Sequence, residues 1–428
     1  MARRARDVYT EWRGGTCRVK WWTGEYRADG RKRFESKGGF TDEDEAFEYG
    51  QDQLYEIRHG TGISSRDGAT LMTDWIDDWL ASTDHAYTTY KGYKSIINRH
   101  IRPYFQGVAV RDIDVIAYRA FRKHIYKKLP TPASASNVMA VLGMILDDAV
   151  PRLIKVSPVE RKRTRGRYVK QTRREYKRDM DIAAIDQLAR NAEVVCGYTG
   201  YVMIWTMAMT GMRPGELFGL RREYCYPNWP GSDPRPDPSE EPRYEEDARR
   251  YGKGDGLMPA IRVQQQVQQT KGNAVTLVPP KYYSYRTLVI PPFLADMLEK
   301  LLASHDSDWV FPAVKGGCLK AAPFSKSYWF PISRGCDART RGRGGAPARP
   351  AIPPVPDFAG KRMYLIRHGH KAWLDEDGHP RFAVESRMGH EVGGVEGTYS
   401  SVTVAMERAI MKALQDRWER FVQERAGG

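Results

Sequence analysis

Between residues 161 and 178 the chain reads RKRTRGRYVKQTRREYKR, ten lysines and arginines against the single acid Glu175. So dense a run repels itself and stays solvated. It therefore acts as a link, and the parts of the 428-residue chain on either side of it must fold as separate bodies. The formal net charge of +15, with a pI of about 9.5, continues the theme and points to a polyanionic partner, DNA before others. Hydrophobic residues at 41% and aromatics at 11% are those of a folded chain.

Several function classes drop out early. Cys17, Cys196, Cys225, Cys318 and Cys336 are scattered, with no C-x-x-C pair at zinc spacing, so neither a metal nor another cofactor is expected. An odd count of cysteines also argues against a secreted disulfide framework. No apolar run is long enough for a membrane span, and the basic N-terminus lacks the apolar core of a signal peptide. The expected location is the cytoplasm.

Ahead of the basic run the chain divides again. Residues 1–62 carry strand-forming Trp12, Val19, Trp21 and Tyr26 between glycine turns, then a helix with Thr41 as its expected cap. Arg18, Lys20 and Arg27, interleaved with the aromatics, are candidate DNA contacts. Residues 66–160 show helical periodicity, with Leu71, Trp75 and Trp79 four apart, and Lys91 and Lys94 on a polar face. Arg163, Arg165 and Arg167 of the link would lie along a phosphate backbone and displace its counterions.

Residues 179–428 hold the chemistry. Asp181 is placed to cap a first helix. TGMRPGEL follows an apolar helix, with Arg213 at the turn, Pro214 at a first helical position and Glu216 placed to orient the arginine. Residues 226–257 are rich in proline, glycine and charge and read as a long exposed loop. Two lysines at expected strand turns follow, Lys271 in TKGNAV and Lys281 in PKYYSYRT; Lys281 is preferred, because the strand after it leads straight into the next helix. A strand is expected over DWVFP. From Tyr364 the chain runs YLIRHGHKAWL, then RMGH, then GTYS, which collects Arg367, His368, His370, His390 and Tyr399. A final amphipathic helix, with Met406, Ile410, Leu414, Trp418 and Phe421 on one face, either folds back or reaches a neighbour.

These segments, in this order, resemble the tyrosine recombinases of the phage-integrase type. Arg213, Arg367, His390 and Tyr399 match the family's two arginines, its glycine–histidine turn and its nucleophile nine residues on. The resemblance implies a multidomain, mainly α fold with small β-sheets. Its parts are an arm-type β-sheet domain (1–62), a helical core-binding domain (66–160), a basic linker (161–178) and a mixed α+β catalytic domain (179–428). It implies a site-specific recombinase that joins strands through a 3′-phosphotyrosine, with Lys281 protonating the leaving oxygen. The implied partners are double-stranded DNA attachment sites, three further copies in a homotetramer, and an excision or host DNA-bending factor, in a bacterial cell. Where the family has histidine three residues before the second arginine, this chain has Tyr364, a poor proton relay at neutral pH. That departure keeps two alternatives open: a DNA-binding regulator with weakened catalysis, and a type I topoisomerase-like enzyme.

Overall fold

The computed structural model describes residues 7–59, 63, 65–160, 180–232, 241–270, 274–314, 316–340, 348–391 and 401–427. The chain forms two compact units, Met1–Lys170 and Gln171–Gly428. Arg163, Arg165, Arg167, Lys271 and Tyr399 lie outside the described residues.

The first unit opens with an antiparallel sheet of β1 (Val8–Arg13), β2 (Thr16–Tyr26) and β3 (Lys32–Phe40), in that order. The two-residue period of β2 sends Cys17, Val19 and Trp21 to one buried face. The helix Glu43–Arg58 covers that face with Ala46 and Leu54. It approaches closely because residue 50 is glycine: a Cβ there would stand 2.5 Å from Val19 Cγ2 and 2.6 Å from Val8 Cγ1. The cap of this helix is Asp42, not Thr41; its carboxylate accepts the Asp44 N–H at 3.3 Å. Arg18 and Lys20 point to the opposite face, where both close on Glu11, at 3.8 and 3.1 Å. Arg27 is exposed in the β2–β3 turn.

A separate helical core follows within the same unit. The helix Met72–Ser82 buries Met72, Trp75, Ile76 and Trp79. Leu71 is half-exposed at its N-cap, so the apolar stripe begins one residue later than its spacing to Trp75 and Trp79 suggests. The Trp75 indole donates to the Ile145 carbonyl at 2.9 Å and the Trp79 indole to Asp148 at 2.7 Å, which ties this helix to Pro132–Asp147. Val115–Lys128 adds Tyr118, Phe121 and Ile125. Lys91 and Lys94 are exposed on the helix Tyr87–Ile96.

In the second unit Asp181 caps the helix Ile182–Cys196 by accepting the Ala183 N–H at 2.9 Å. That helix packs on Tyr198–Thr210, which is buried throughout from Val202 onward. β4 (Ala260–Val263) pairs antiparallel with β7 (Arg286–Val289), and the chain between them forms a second hairpin of β5 (Gln266–Gln269) and β6 (Val275–Val278). The helices Pro292–Ala303, Leu365–Glu376 and Arg381–Met388 complete the frame of the site. DWVFP contributes one isolated bridge, Arg221 to Trp309, rather than a strand, because only that pairing is made.

Two features of the second unit differ from, or decide between, what the sequence suggests. The segment 226–257 is not wholly an exposed loop. Trp229 and Tyr251 are buried with Met258, Ala260 and Val289, and Glu241–Arg250 is helical between them. A high average polarity hides two aromatics, one at each end, that fold together. The last helix, Val404–Gly427, folds back on its own unit: Trp418 stacks on Phe293 at 4.3 Å and meets Trp205 edge-on at 4.6 Å. Tyr251 fastens its first turn, its hydroxyl donating to the Glu407 carboxylate at 2.7 Å. Among the described residues no helix is long and apolar enough to cross a membrane.

Candidate active site

The site grows from the end of the helix Tyr198–Thr210. Gly211 takes the left-handed conformation (φ 64°, ψ 18°), and a Cβ on it would strike His370 Cδ2 at 2.5 Å. Two residues on, Arg213 precedes the short helix Pro214–Phe218, with Pro214 supplying the first turn. Glu216 reaches back from that turn: Oε2 accepts the Arg213 N–H at 2.8 Å and Oε1 accepts Arg213 Nη1 at 2.7 Å. The same carboxylate takes Arg286 Nη1 at 3.2 Å and Nη2 at 2.7 Å. Arg213 also donates to Ser284 Oγ at 3.1 Å and to the Gly389 carbonyl at 3.0 Å.

Glu216 is wholly buried. Burial pushes its carboxyl upward, but Arg286 and then Arg213 outweigh burial and hold it below the ordinary range. One carboxylate thus serves two guanidiniums. A third, Arg367, rises from the helix Leu365–Glu376 and is 1% exposed. It donates to the carbonyls of Gly211, at 2.6 Å, and Met388, and meets His390 Nε2 at 3.1 Å. Burial first, then Arg213 and Arg286, push its pKa down to about 10, so it is still charged at neutral pH. Arg213, Arg286 and Arg367 bring three positive charges against the one negative charge of Glu216. Such an excess, fixed in a largely desolvated place, is a receptor for an anion with several oxygens.

His390 closes the arrangement. The helix Arg381–Met388 ends at Gly389, left-handed at φ 65° and ψ 46°, and the turn lifts His390 toward Arg367. Its ring Nδ1 lies 2.7 Å from Glu385 Oε2. Gly389 is needed twice over, for its conformation and for space: a Cβ would stand 3.0 Å from both Arg286 Nη1 and Ser284 Oγ. Gly389→Ala is therefore expected to destabilise the second unit by about 1–3 kcal/mol. Urea denaturation beside the wild type measures it.

The remaining candidates are placed less centrally. Tyr364 is about one-third exposed, its ring edge-on to His368 at 5.1 Å and 6.0 Å from the Arg367 guanidinium. Lys281 sits in a single turn, Lys281–Tyr283, with its Nζ 4.8 Å from the Tyr282 ring. That turn is joined to Arg213 through Ser284, yet the lysine itself makes no contact with Arg213, Arg367 or His390. His370 is fully buried and structural. Its Nδ1 faces the Ala208 carbonyl at 2.8 Å, its Nε2 accepts from Arg387 at 3.1 Å, and burial keeps it neutral.

Sequence reasoning missed the supporting groups. Arg387 is buried among the carbonyls of Met209, at 2.8 Å, and Val289, at 2.9 Å, and its own carbonyl accepts from Arg286 Nε at 2.8 Å. Arg286 and Glu385 were equally unmarked as members of the site. The available signal was the spacing of Glu385, five residues before a glycine-turned histidine.

Comparison with known proteins gives the following likenesses. Residues 71–126 match the family model described as the phage integrase N-terminal SAM-like domain. The chain is 29% identical over 154 residues to the ICEBs1 integrase of Bacillus subtilis (strain 168); the match spans 34% of this chain and 39% of that protein. Among solved structures, the Tn1549 transposon integrase in complex with a circular intermediate DNA is similar at TM-score 0.52 and 13% identity, covering 80% of this chain and 99% of that one. The same integrase with transposon right end DNA gives TM-score 0.50 at 14% identity, over 79% and 97% of the two chains. The fold, with helical parts and small antiparallel sheets, is similar to that of this integrase. Sequence and fold thus liken the chain to the phage integrases, by family model over residues 71–126 and by fold over 80% of its length.

Proposed function

We propose that the chain is a site-specific DNA recombinase that integrates or excises a mobile element. The observation that carries this reading is the pair of guanidiniums, the partly buried Arg213 and the buried Arg367, held beside His390 with one carboxylate among three cations. A phosphodiester fits that excess. Two guanidiniums on its non-bridging oxygens gain strength as charge builds at phosphorus. Tyr399 attacks, a 3′-phosphotyrosine forms and a 5′-hydroxyl leaves. The bond energy is kept in the ester, so a second 5′-hydroxyl reverses the step without a nucleotide cofactor. Lys281 is assigned the proton for the leaving oxygen, with Lys271 as its alternative, and Tyr364 a hydrogen-bonding place beside Arg367.

The other parts follow the same reading. Residues 1–62 bind arm-type DNA through Arg18, Lys20 and Arg27, although the pairing of Arg18 and Lys20 with Glu11 reduces what they offer. Residues 66–160 grip the core site with Lys91 and Lys94. Arg163, Arg165 and Arg167 of the linker follow the backbone between them and the catalytic part, 179–428. The working form is a homotetramer on double-stranded attachment sites, in the bacterial cytoplasm, joined by an excision or DNA-bending factor. The Tn1549 integrase structures, which hold DNA, support the partner.

The test is adduct trapping. Duplex cores are selected for binding from a random pool, nicked near the exchange point, and incubated with the wild type and Tyr399→Phe. The expected result is a covalent protein–DNA band in the wild type alone, and strand exchange between two cores. Binding by the wild type without adduct would support the catalytically weakened regulator that Tyr364 suggests. Adduct with relaxation of supercoiled DNA, but no exchange, would support a topoisomerase-like enzyme.

A further inference from the structure

The turn that leads into β7 runs against the preferences of its own residues. Tyr282 (φ 61°, ψ 27°) and Tyr283 (φ 52°) both take the left-handed conformation, and among the described residues they are the non-glycine residues that do. Glycine, asparagine or aspartate fills such a position at low cost, whereas a bulky side chain strains the backbone there. Hydrogen bonds hold the conformation: the Tyr283 N–H donates to the Pro280 carbonyl and the Tyr285 N–H to the Tyr283 carbonyl, each at 2.8 Å. The two rings gain nothing from the core in return. Tyr282 is 71% and Tyr283 74% exposed, more than any other phenylalanine, tyrosine or tryptophan among the described residues. Strain kept for rings that face water has no account in stability, and such outliers gather at sites of function.

The neighbours of the turn say what the rings meet. Ser284, the next residue, accepts from Arg213 Nη1 at its hydroxyl and from Arg286 Nη1 at its carbonyl, both at 3.1 Å. The turn is therefore fixed to two of the three guanidiniums of the anion receptor. Lys281 Nζ, 4.8 Å from the centre of the Tyr282 ring, adds a further cation. The rings of Tyr283 and Tyr285 are 6.5 Å apart and inclined at 49°, so they do not lie face to face. An occupant that brings a phosphate to the arginines and a flat ring to the tyrosines is a nucleotide.

We propose that Tyr282 and Tyr283 form a stacking platform for a base that has left the double helix beside the phosphate held by Arg213 and Arg367. The inference rests on the recombinase reading and adds a binding site to it. Paired bases within a duplex offer only their edges to a protein. A base at a nick, or at the end of a severed strand, has a free face. Strand exchange makes such an end at each cleavage, and the platform retains it until it is rejoined or passed on. Every base has a face that stacks, so the platform holds strand ends without reading their sequence.

The test reads binding of the full chain to the selected nicked cores, made with either an unpaired base or an abasic residue beside the nick. The wild type is expected to bind the unpaired base about tenfold more tightly than the abasic core, whichever base is used. The double variant Tyr282→Gly, Tyr283→Gly removes both rings and suits the left-handed turn, so its losses are not those of a broken turn. It should bind the two cores alike, while Tyr282→Phe, Tyr283→Phe keeps the preference. If the glycine variant does not fold, Tyr282→Asn, Tyr283→Asn, which also tolerates the conformation, takes its place. A wild type with no preference for the base, or a ringless variant that retains it, would overturn the proposal. Adduct formation is measured separately on the same cores. Its absence in the wild type overturns the recombinase reading, and the base preference is read from binding in either case, so the two failures are distinct.

Discussion

Replacing Arg367 by lysine or alanine is expected to slow strand cleavage roughly 1,000-fold, the loss that follows when a preorganised donor to a developing oxyanion is removed. Lysine is no remedy. The guanidinium meets three acceptors at once, the Gly211 and Met388 carbonyls and His390 Nε2, and does so from 1% exposure. An ammonium on a flexible stem reaches one of these and leaves the others without a donor. It also loses the planar pair of N–H groups that matches two phosphate oxygens. Because the positive links and faces elsewhere are untouched, DNA binding should fall far less than cleavage. Single-turnover kinetics beside a binding titration reads both. A variant that cleaves within about tenfold of wild type would remove Arg367 from the phosphate.

Glu216→Ala should cost the second unit about 3–5 kcal/mol, the usual consequence of stranding buried cations by deleting their partner. Two guanidiniums lose their shared carboxylate, and Arg286 is only 6% exposed. The wild-type pH dependence carries the same information. The pKa of Glu216 is lowered in the folded state, so its contribution is present above the ordinary carboxyl value of 4.5 and is lost as pH falls through the folded value. Glu216→Gln should therefore be less stable than wild type at neutral pH, and the gap should narrow on acidification. Urea denaturation at a series of pH values measures it. A gap independent of pH would mean that the carboxylate's charge is not what holds the arginines.

Much of this site could be read in the sequence because its parts are local. Arg213 is announced by the glycine before it, the proline after it and the glutamate three residues on, all features of a helix start. Gly389 and His390 are announced in the same way by a helix end. Arg286, Arg387 and Glu385 were not legible as a group. Arg286 and Glu216 are 70 residues apart, and nothing in either segment says that they share hydrogen bonds. Arg387 stands in the last turn of the helix Arg381–Met388, yet it is buried among carbonyls from two distant segments. Composition misled once, over residues 226–257, because burial there depends on Trp229 and Tyr251 meeting across the intervening polar chain. The direction taken by the last helix needed three-dimensional packing as well, since its apolar face suits its own domain as well as a neighbour's.

The fastening of that last helix sets the length of a leash. Tyr251 grips Glu407 and Trp418 lies flat on Phe293, so the helix Val404–Gly427 is held at its start and middle. Residue 399 precedes Val404 by five residues, and five residues of chain span at most about 18 Å. While both fastenings hold, the Cα of residue 399 stays within that radius of Val404. Under the proposed recombinase reading, carrying Tyr399 to a more distant phosphate requires peeling an aromatic stack off the core, so its reach is tied to the strength of a stack and a phenol hydrogen bond.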